Sequence, residues 1–242
     1  MKLLSCNIEG NRHLEARILP LLRRERAEVV CLQEVFAVDL PLLEAAAGLP
    51  SIFVPQAQVT KANPHLPPRG EWGLAILAAD VSEWRADFYT GEAALVPEFF
   101  ANNDPNSMNR VLLSARVQVA GETFQVATTH FTWSGEGIVN AEQRRAYARL
   151  LPLLTDFKEL LFCGDLNTPR GYELWSDLAA RYQDNIPTAI DTTVDKNLHK
   201  SGLDIRLVID ALFSSPHYQV EQVRILPDTS DHMAVVAEVR RA

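Results

Sequence analysis

LLFCGDLNTP, residues 160–169, runs as an apolar strand into Gly164, sets Asp165 and Asn167 two residues apart on one side, and stops at Pro169. A carboxylate and a carboxamide at that spacing can share one water, Asp165 taking its proton and Asn167 fixing its orientation. An Asx-rich turn closing a strand would carry the same letters. Working outward, LLSCN (3–7) closes on Asn7, VVCLQE (29–34) closes on Glu34, and TSDH (229–232) sets Asp231 and His232 before a last apolar run. Strands present alternate residues to alternate faces, so Asn7, Glu34 and Asp165 can meet at the rim of one cleft although far apart in sequence. Such an oxygen-rich set suits a hard divalent cation. Zinc more often calls for Cys or paired His at short spacing, whereas Cys6, Cys31 and Cys163 each lie inside an apolar run and read as core.

The same reading extends along the chain. Strand patterns occur at 2–7, 29–33, 73–79, 111–119, 123–130, 160–164, 207–213 and 233–239, with weaker ones near 51–59, 84–89 and 220–226. VLLSARVQV alternates from Val111 to Val119 and turns at Ala120-Gly121-Glu122 into TFQVATTH, an antiparallel hairpin. Helical periodicity covers about 141–156, with others at 11–26 and around 172–180. Pro20 and Pro152 fall inside the first two of these helices and predict a kink or a later start. Many strands in two sets, few helices, and ligand types spread from residue 7 to residue 232 predict one domain over 1–242. Its expected class is α/β (α+β), with two packed sheets and helices on the outer faces.

Composition sets bounds on function. The 242 residues are 47% hydrophobic, with no apolar run long enough for a membrane span. The opening MKLLSCNIEG is broken by Asn7 and Glu9 before a secretory core can form, which predicts a cytoplasmic protein. Three cysteines inside strands fit a reducing compartment without disulfides. A net charge of −8 argues against broad affinity for nucleic acid, although a local basic rim would suffice for a nuclease.

Two further segments carry chemistry. Asp231-His232 alone reads as a cap or turn, but LVIDALFSS puts Asp210 in mid-strand, where an unpaired carboxylate is costly, and His232 is the natural partner. His130 ends the alternating run of Phe124, Val126 and Thr128 and, alone, reads as a satisfied core histidine. Arg110 opens a strand after a polar loop and alone is compatible with a solvated position. His65 and His199 read as surface residues. Trp72 and Trp133 either wall a substrate or simply pack.

Taken together in order, CN at 6–7, LQEV at 32–35, MNR at 108–110, TTHFTW at 128–133, CGDLN at 163–167 and SDH at 230–232 resemble the endonuclease/exonuclease/phosphatase superfamily. The resemblance covers residues 2–239. It implies a four-layered αββα sandwich of two mixed sheets and hydrolysis of phosphoesters with Mg²⁺ or Mn²⁺. Carried over, it makes Glu34 the principal metal carboxylate with Asn7 beside it and Asp231 as a further ligand. Asp165 becomes the base for water and Asn167 its orienting partner. His232, held by Asp210, contacts the scissile phosphate, His130 donates to a phosphoryl oxygen or the leaving group, and Arg110 clamps the phosphate. Ala234 stands where Pro is common in the family, and no aromatic precedes Asn7; neither departure touches a ligand.

Within the superfamily, histidine at 130 leans away from the abasic-site repair branch. Few cations in the 63–72 and 97–110 loops argue against inositol polyphosphates, and Phe99-Phe100 is a thin basis for a membrane-facing sphingomyelinase loop. The first expectation is a nucleic-acid or nucleotide phosphodiester, followed by a small-molecule or lipid-headgroup phosphoester. A catalytically silent binding protein of the same fold is the alternative of another class; the presence of Glu34, Asp165 and His232 speaks against it. No obligate protein partner is predicted.

Overall fold

A computed structural model describes residues 1–242, apart from the side chain of Glu136. Two sheets of six strands form the body. Across the first run β11 (Tyr218–Leu226), β12 (Ala234–Arg241), β1 (Lys2–Asn7), β2 (Val29–Phe36), β4 (Gly70–Ala78) and β3 (Ser51–Val59). Across the second run β5 (Val81–Thr90), β6 (Arg110–Val119), β7 (Glu122–His130), β8 (Leu161–Asp165), β10 (Asp210–Ser214) and β9 (Gln183–Asp184). Each sheet is antiparallel except for one central pair, β1 with β2 and β7 with β8. A parallel pair needs a crossover long enough to bring the chain back, and a helix supplies it both times. In the first crossover a π-helical turn, Leu14–Ile18, leads into α1 (Leu19–Glu25); α3 (Ala141–Thr155) supplies the second.

Alternation decides what each strand buries. From β1, Leu3 joins the core between the sheets, while Leu4, Cys6 and, just past the strand, Ile8 pack outward with Leu14, Ile18 and Leu22. From β2, Val29 and Cys31 face inward and Val30 and Leu32 face α1 and α2 (Leu40–Ala47). On the second sheet Leu150, Leu154, Trp175 and Leu178, from α3 and α4 (Glu173–Ala179), cover the outer side. Trp175 lies 5.2 Å from the Phe213 ring. The order of layers is helix, sheet, sheet, helix. No helix among the described residues is long and apolar enough to cross a membrane.

Every strand candidate forms a strand. Pro20 sits in the first turn of α1, where its missing N–H leaves no bond unmade, so the kink expected in 11–26 appears as the change from π to α winding. Pro152 is tolerated near the end of α3. The strand expected from 207 begins only at Asp210, which pairs with Asp165 across the sheet. Asp210 therefore stands at a strand mouth and not in mid-strand.

Glu25, at the end of α1, ties the first sheet to its helix. Its carboxylate receives Lys2 Nζ at 3.0 Å, Arg24 Nε at 3.1 Å and Arg224 Nη2 at 2.6 Å. Burial alone would raise its pKa, yet the three cations win and hold it at about 2. A carboxyl whose pKa is depressed on folding stabilises the fold above its unfolded value, and that contribution disappears as pH falls from the ordinary carboxylate range towards 2. Glu25→Gln is therefore expected to lower the melting temperature at pH 7. The gap between variant and parent should close as pH approaches 2; thermal melts at several pH values check it, and a pH-independent gap would contradict the ion-pair account.

Candidate active site

The carboxyl ends of the two parallel pairs face one another across the sandwich, and most of the expected side chains meet there. Asn7 ends β1, and its Nδ2 donates to Glu34 Oε1 of the same sheet and to Asp165 Oδ2 of the other, each at 3.0 Å. Its Oδ1 accepts the Glu9 N–H at 3.1 Å. Simple alternation would have aimed the wrong residue at this place, because the partner of Asn7 in the β1/β2 register is Gln33. Gln33 does point inward, donating to Thr128 Oγ1 at 2.9 Å. A bulge between Leu32 and Val35, with Glu34 in the left-handed region at φ 62°, turns Glu34 into the cleft as well.

Asp165 and Asn167 form the Asx turn that their spacing allowed, with their side chains in direct contact. The Asn167 N–H donates to Asp165 Oδ1 at 2.9 Å, an Asx turn, and Asn167 Nδ2 reaches Asp165 Oδ2 at 3.4 Å and Phe131 O at 3.1 Å. Gly164 precedes them at φ 133°, where a Cβ would lie 2.1 Å from Thr129 O, so only glycine lets β8 approach β7 closely enough to set this turn. Gln143, buried in the first turn of α3, donates to Thr132 O at 2.8 Å and Asn167 O at 2.9 Å and pins both strand-end loops. The helical pattern of 141–156 marks its position but not this role.

Two histidines flank Asp165, and their surroundings move their pKa values in opposite directions. His232 Nδ1 bonds Asp210 Oδ2 at 2.9 Å, and its Nε2 lies 3.6 Å from Asp165 Oδ2. Burial disfavours the imidazolium, but Asp210, Asp165 and Asp231 outweigh it and pull the pKa well above the ordinary value. His130 Nε2 lies 3.6 Å from Asp165 Oδ2 and 3.8 Å from Glu34 Oε1. Burial pushes its pKa down to about 3, with Asp165 opposing and Arg110 and His232 adding to the fall. The surroundings thus favour the charged form of His232 and the neutral form of His130.

Arg110 is only 1% exposed, which excludes the surface position. Its guanidinium donates to His130 O at 3.1 Å and Asn106 Oδ1 at 2.7 Å, so it stands behind His130 with two of its donors committed. Trp72 is buried and packs edge-on to His130 at 6.0 Å and against Phe99 at 4.7 Å, whereas Trp133 is exposed.

The carboxylates are crowded. Burial first, then Asp231 and Asp165, push Glu34 up to about 8 against the Asn7 bond and His232. Asp231 Oδ1 is buried with no hydrogen-bond partner among the described residues, and Glu9 Oε2, also buried, has His13 Nε2 beside it at 3.2 Å. Glu9 is the residue that sequence reasoning passed over. It lies two positions beyond Asn7, and burial and then Asp231 raise it to about 7. Oxygen donors in surplus over their protons are what a hard divalent cation neutralises, so Glu34 and Asp231 fit such an ion. Asp165, Asp210 and His232 also bring one ligand atom each within 4.8 Å of the others. Asp210 and His232 already satisfy one another, which leaves the Glu34 and Asp231 side as the better donor set.

The sequence model of the Endonuclease/Exonuclease/phosphatase family matches residues 4–232. No curated protein matches the chain by sequence. Among solved structures, an endonuclease/exonuclease/phosphatase from Bacteroides vulgatus is 17% identical with a TM-score of 0.73, covering 100% of this chain and 98% of that one. A mannosyl-6-phosphatase from Bacteroides thetaiotaomicron is 15% identical with a TM-score of 0.74 and 99% of both chains covered. The human Nocturnin catalytic domain is 19% identical with a TM-score of 0.67, covering 100% and 93% respectively. At these identities the likeness is one of fold.

Proposed function

The chain belongs to the endonuclease/exonuclease/phosphatase family, and we propose that within it the protein is a divalent-metal-dependent phosphodiester hydrolase acting on a nucleic acid or nucleotide. The observation that carries this reading is the meeting of Asn7, Glu34, His130, Asp165, Asn167 and His232 between the two sheets, bonded or within 4 Å in a chain of contacts through Asp165.

In this reading Asp165 takes a proton from the attacking water, and Asn167, locked to it by the Asx turn, orients that water. His232, a cation held by Asp210, donates from Nε2 to a phosphoryl oxygen and stabilises the charge that builds there. His130, neutral, donates to a second oxygen or to the leaving group. Arg110 acts through the His130 main chain as a positioning residue, replacing the clamp that the family resemblance implied. Asn7 holds the Glu34 and Asp165 carboxylates in one frame. Glu34 and Asp231, with Glu9 nearby, would hold Mg²⁺ or Mn²⁺, which when bound neutralises charge on the phosphoryl oxygens.

The test is hydrolysis of bis(p-nitrophenyl) phosphate against p-nitrophenyl phosphate with Mg²⁺, Mn²⁺ or EDTA. Faster cleavage of the diester, lost in EDTA, is the expected result. Preference for the monoester would replace this reading with that of a phosphatase, and hydrolysis undiminished in EDTA would remove the metal from it.

A further inference from the structure

Trp133 stands in solvent three residues beyond His130, a stretch of at most about 10 Å of extended chain. It is 47% exposed, whereas Trp72 and Trp175 are buried. A ring of this size left in water forgoes the free energy of its burial, and the chain around it is not loose. Asn106 Oδ1 accepts the Trp133 N–H at 3.0 Å and Asn106 Nδ2 donates to Trp133 O at 2.9 Å, so one carboxamide holds both main-chain groups. The same Oδ1 receives Arg110 Nη2 at 2.7 Å, and Arg110 Nη1 donates to His130 O at 3.1 Å. On the preceding residue, Thr132 O accepts from Gln143, which also holds Asn167 O. One network therefore fixes His130, Asn167 and the Trp133 main chain together, and an aromatic side chain carried on a fixed backbone loses little freedom when a ligand covers it.

The surface around Trp133 is apolar. Gly137, four positions on, is pressed between two other loops: a Cβ there would stand 2.8 Å from Pro169 Cγ and 3.0 Å from Leu207 Cδ1. The loops after β7 and β8 and the one before β10 thus close on one another, and they carry Ile138, Tyr172 and Leu203, all exposed. Their arginines are already paired, Arg170 with Asp184 and Arg206 with Asp191. With a net charge of −8 and its arginines committed, this side of the site offers a phosphoester little Coulombic attraction. It offers a flat ring instead, and every nucleobase has a flat face to lay on it.

Resting on the phosphodiester reading above, we propose that Trp133 is a stacking platform for the planar base of a nucleotide whose phosphate lies between His130 and His232, and that it selects nucleotides over phosphosugars.

Binding separates the inference from catalysis, because it can be measured without turnover. Titration calorimetry on the whole protein with Mg²⁺ would compare adenosine 5′-monophosphate with ribose 5-phosphate and glucose 6-phosphate. An advantage of about tenfold for the nucleotide is expected, the size that one stacked base supplies. Trp133→Phe, which keeps a flat ring, should retain most of it, and Trp133→Leu, apolar but not flat, should lose most of it. Trp84→Ala should leave it intact, since Trp84 is exposed on β5 six residues from the end of that strand that lies beside Arg110. Equal affinity for the three ligands, absence of binding included, would overturn the inference. So would tighter binding of either phosphosugar, or an advantage that survives Trp133→Leu. A nucleotide preference that depends on Trp133, without hydrolysis of any ester, would leave it standing and remove the enzymatic reading instead.

Discussion

Asp165→Asn is expected to lower kcat for diester hydrolysis by about 10³-fold, in the middle of the range that general-base catalysis supplies, and to leave the fold intact. An amide keeps the oxygen that accepts the Asn167 N–H, so the Asx turn that sets the site survives. It also removes one negative charge from a cluster where Asp165 raises Glu34 and where Asp231 Oδ1 lies buried without a partner. Relief of that repulsion offsets the mismatch that the new NH₂ makes with Asn7 Nδ2. The melting temperature should therefore stay within a few degrees of the parent, as it does when a site strained for function is relaxed. Cation binding distinguishes loss of the base from loss of the metal. Asp165→Asn should still bind Mn²⁺ in a paramagnetic-resonance titration, because Glu34 and Asp231 remain, whereas Glu34→Gln should not. Unchanged turnover in a folded Asp165→Asn preparation would sink the mechanism.

Most strands of this protein announce themselves because they are buried on both faces or alternate cleanly, as Val111 to Val119 does, whereas β5 and β11 gave weaker patterns and the two-residue β9 gave none. α2 did not, since LPLLEAAA is short and carries Pro41 as its second residue, and only Gly48 at φ 71° marks its end. The site was legible where a ligand type closes an apolar run, and even there alternation was the wrong reason for Glu34: a bulge aims it, and a bulge leaves no mark in the period of the pattern. Glu9 lay beyond the strand end, where period-2 reasoning stops. Arg110 could not be placed from its neighbours, because its surroundings are Asn106 on a loop and a carbonyl twenty residues away. His65, read as a surface residue, owes its contacts to Phe100 and to Lys200, 135 positions further on. Local pattern reveals what a segment buries, while long-range polar contacts depend on how the segments are folded together.

His232→Ala is expected to cost about 10²- to 10³-fold in kcat, the usual loss when a single charge-stabilising donor is removed, and to damage the fold as well. Asp210 is only 3% exposed, and His232 is its cationic partner. Deleting that partner leaves a buried carboxylate near Asp165, with which it is in register across the sheet, a defect of about 3–5 kcal/mol. Loss of activity in this variant alone would therefore not distinguish chemistry from unfolding. The double variant Asp210→Asn with His232→Gln removes both charges and keeps hydrogen-bonding groups at both positions. Its melting temperature should return most of the way to that of the parent, because removing a buried pair costs far less than breaking it. Its kcat should stay as low as that of the single variant, since two groups that act as a unit lose their effect together. If activity recovered along with stability, His232 would be a structural residue, and the charge on the phosphoryl oxygens would have to be met by His130 and the bound cation without it.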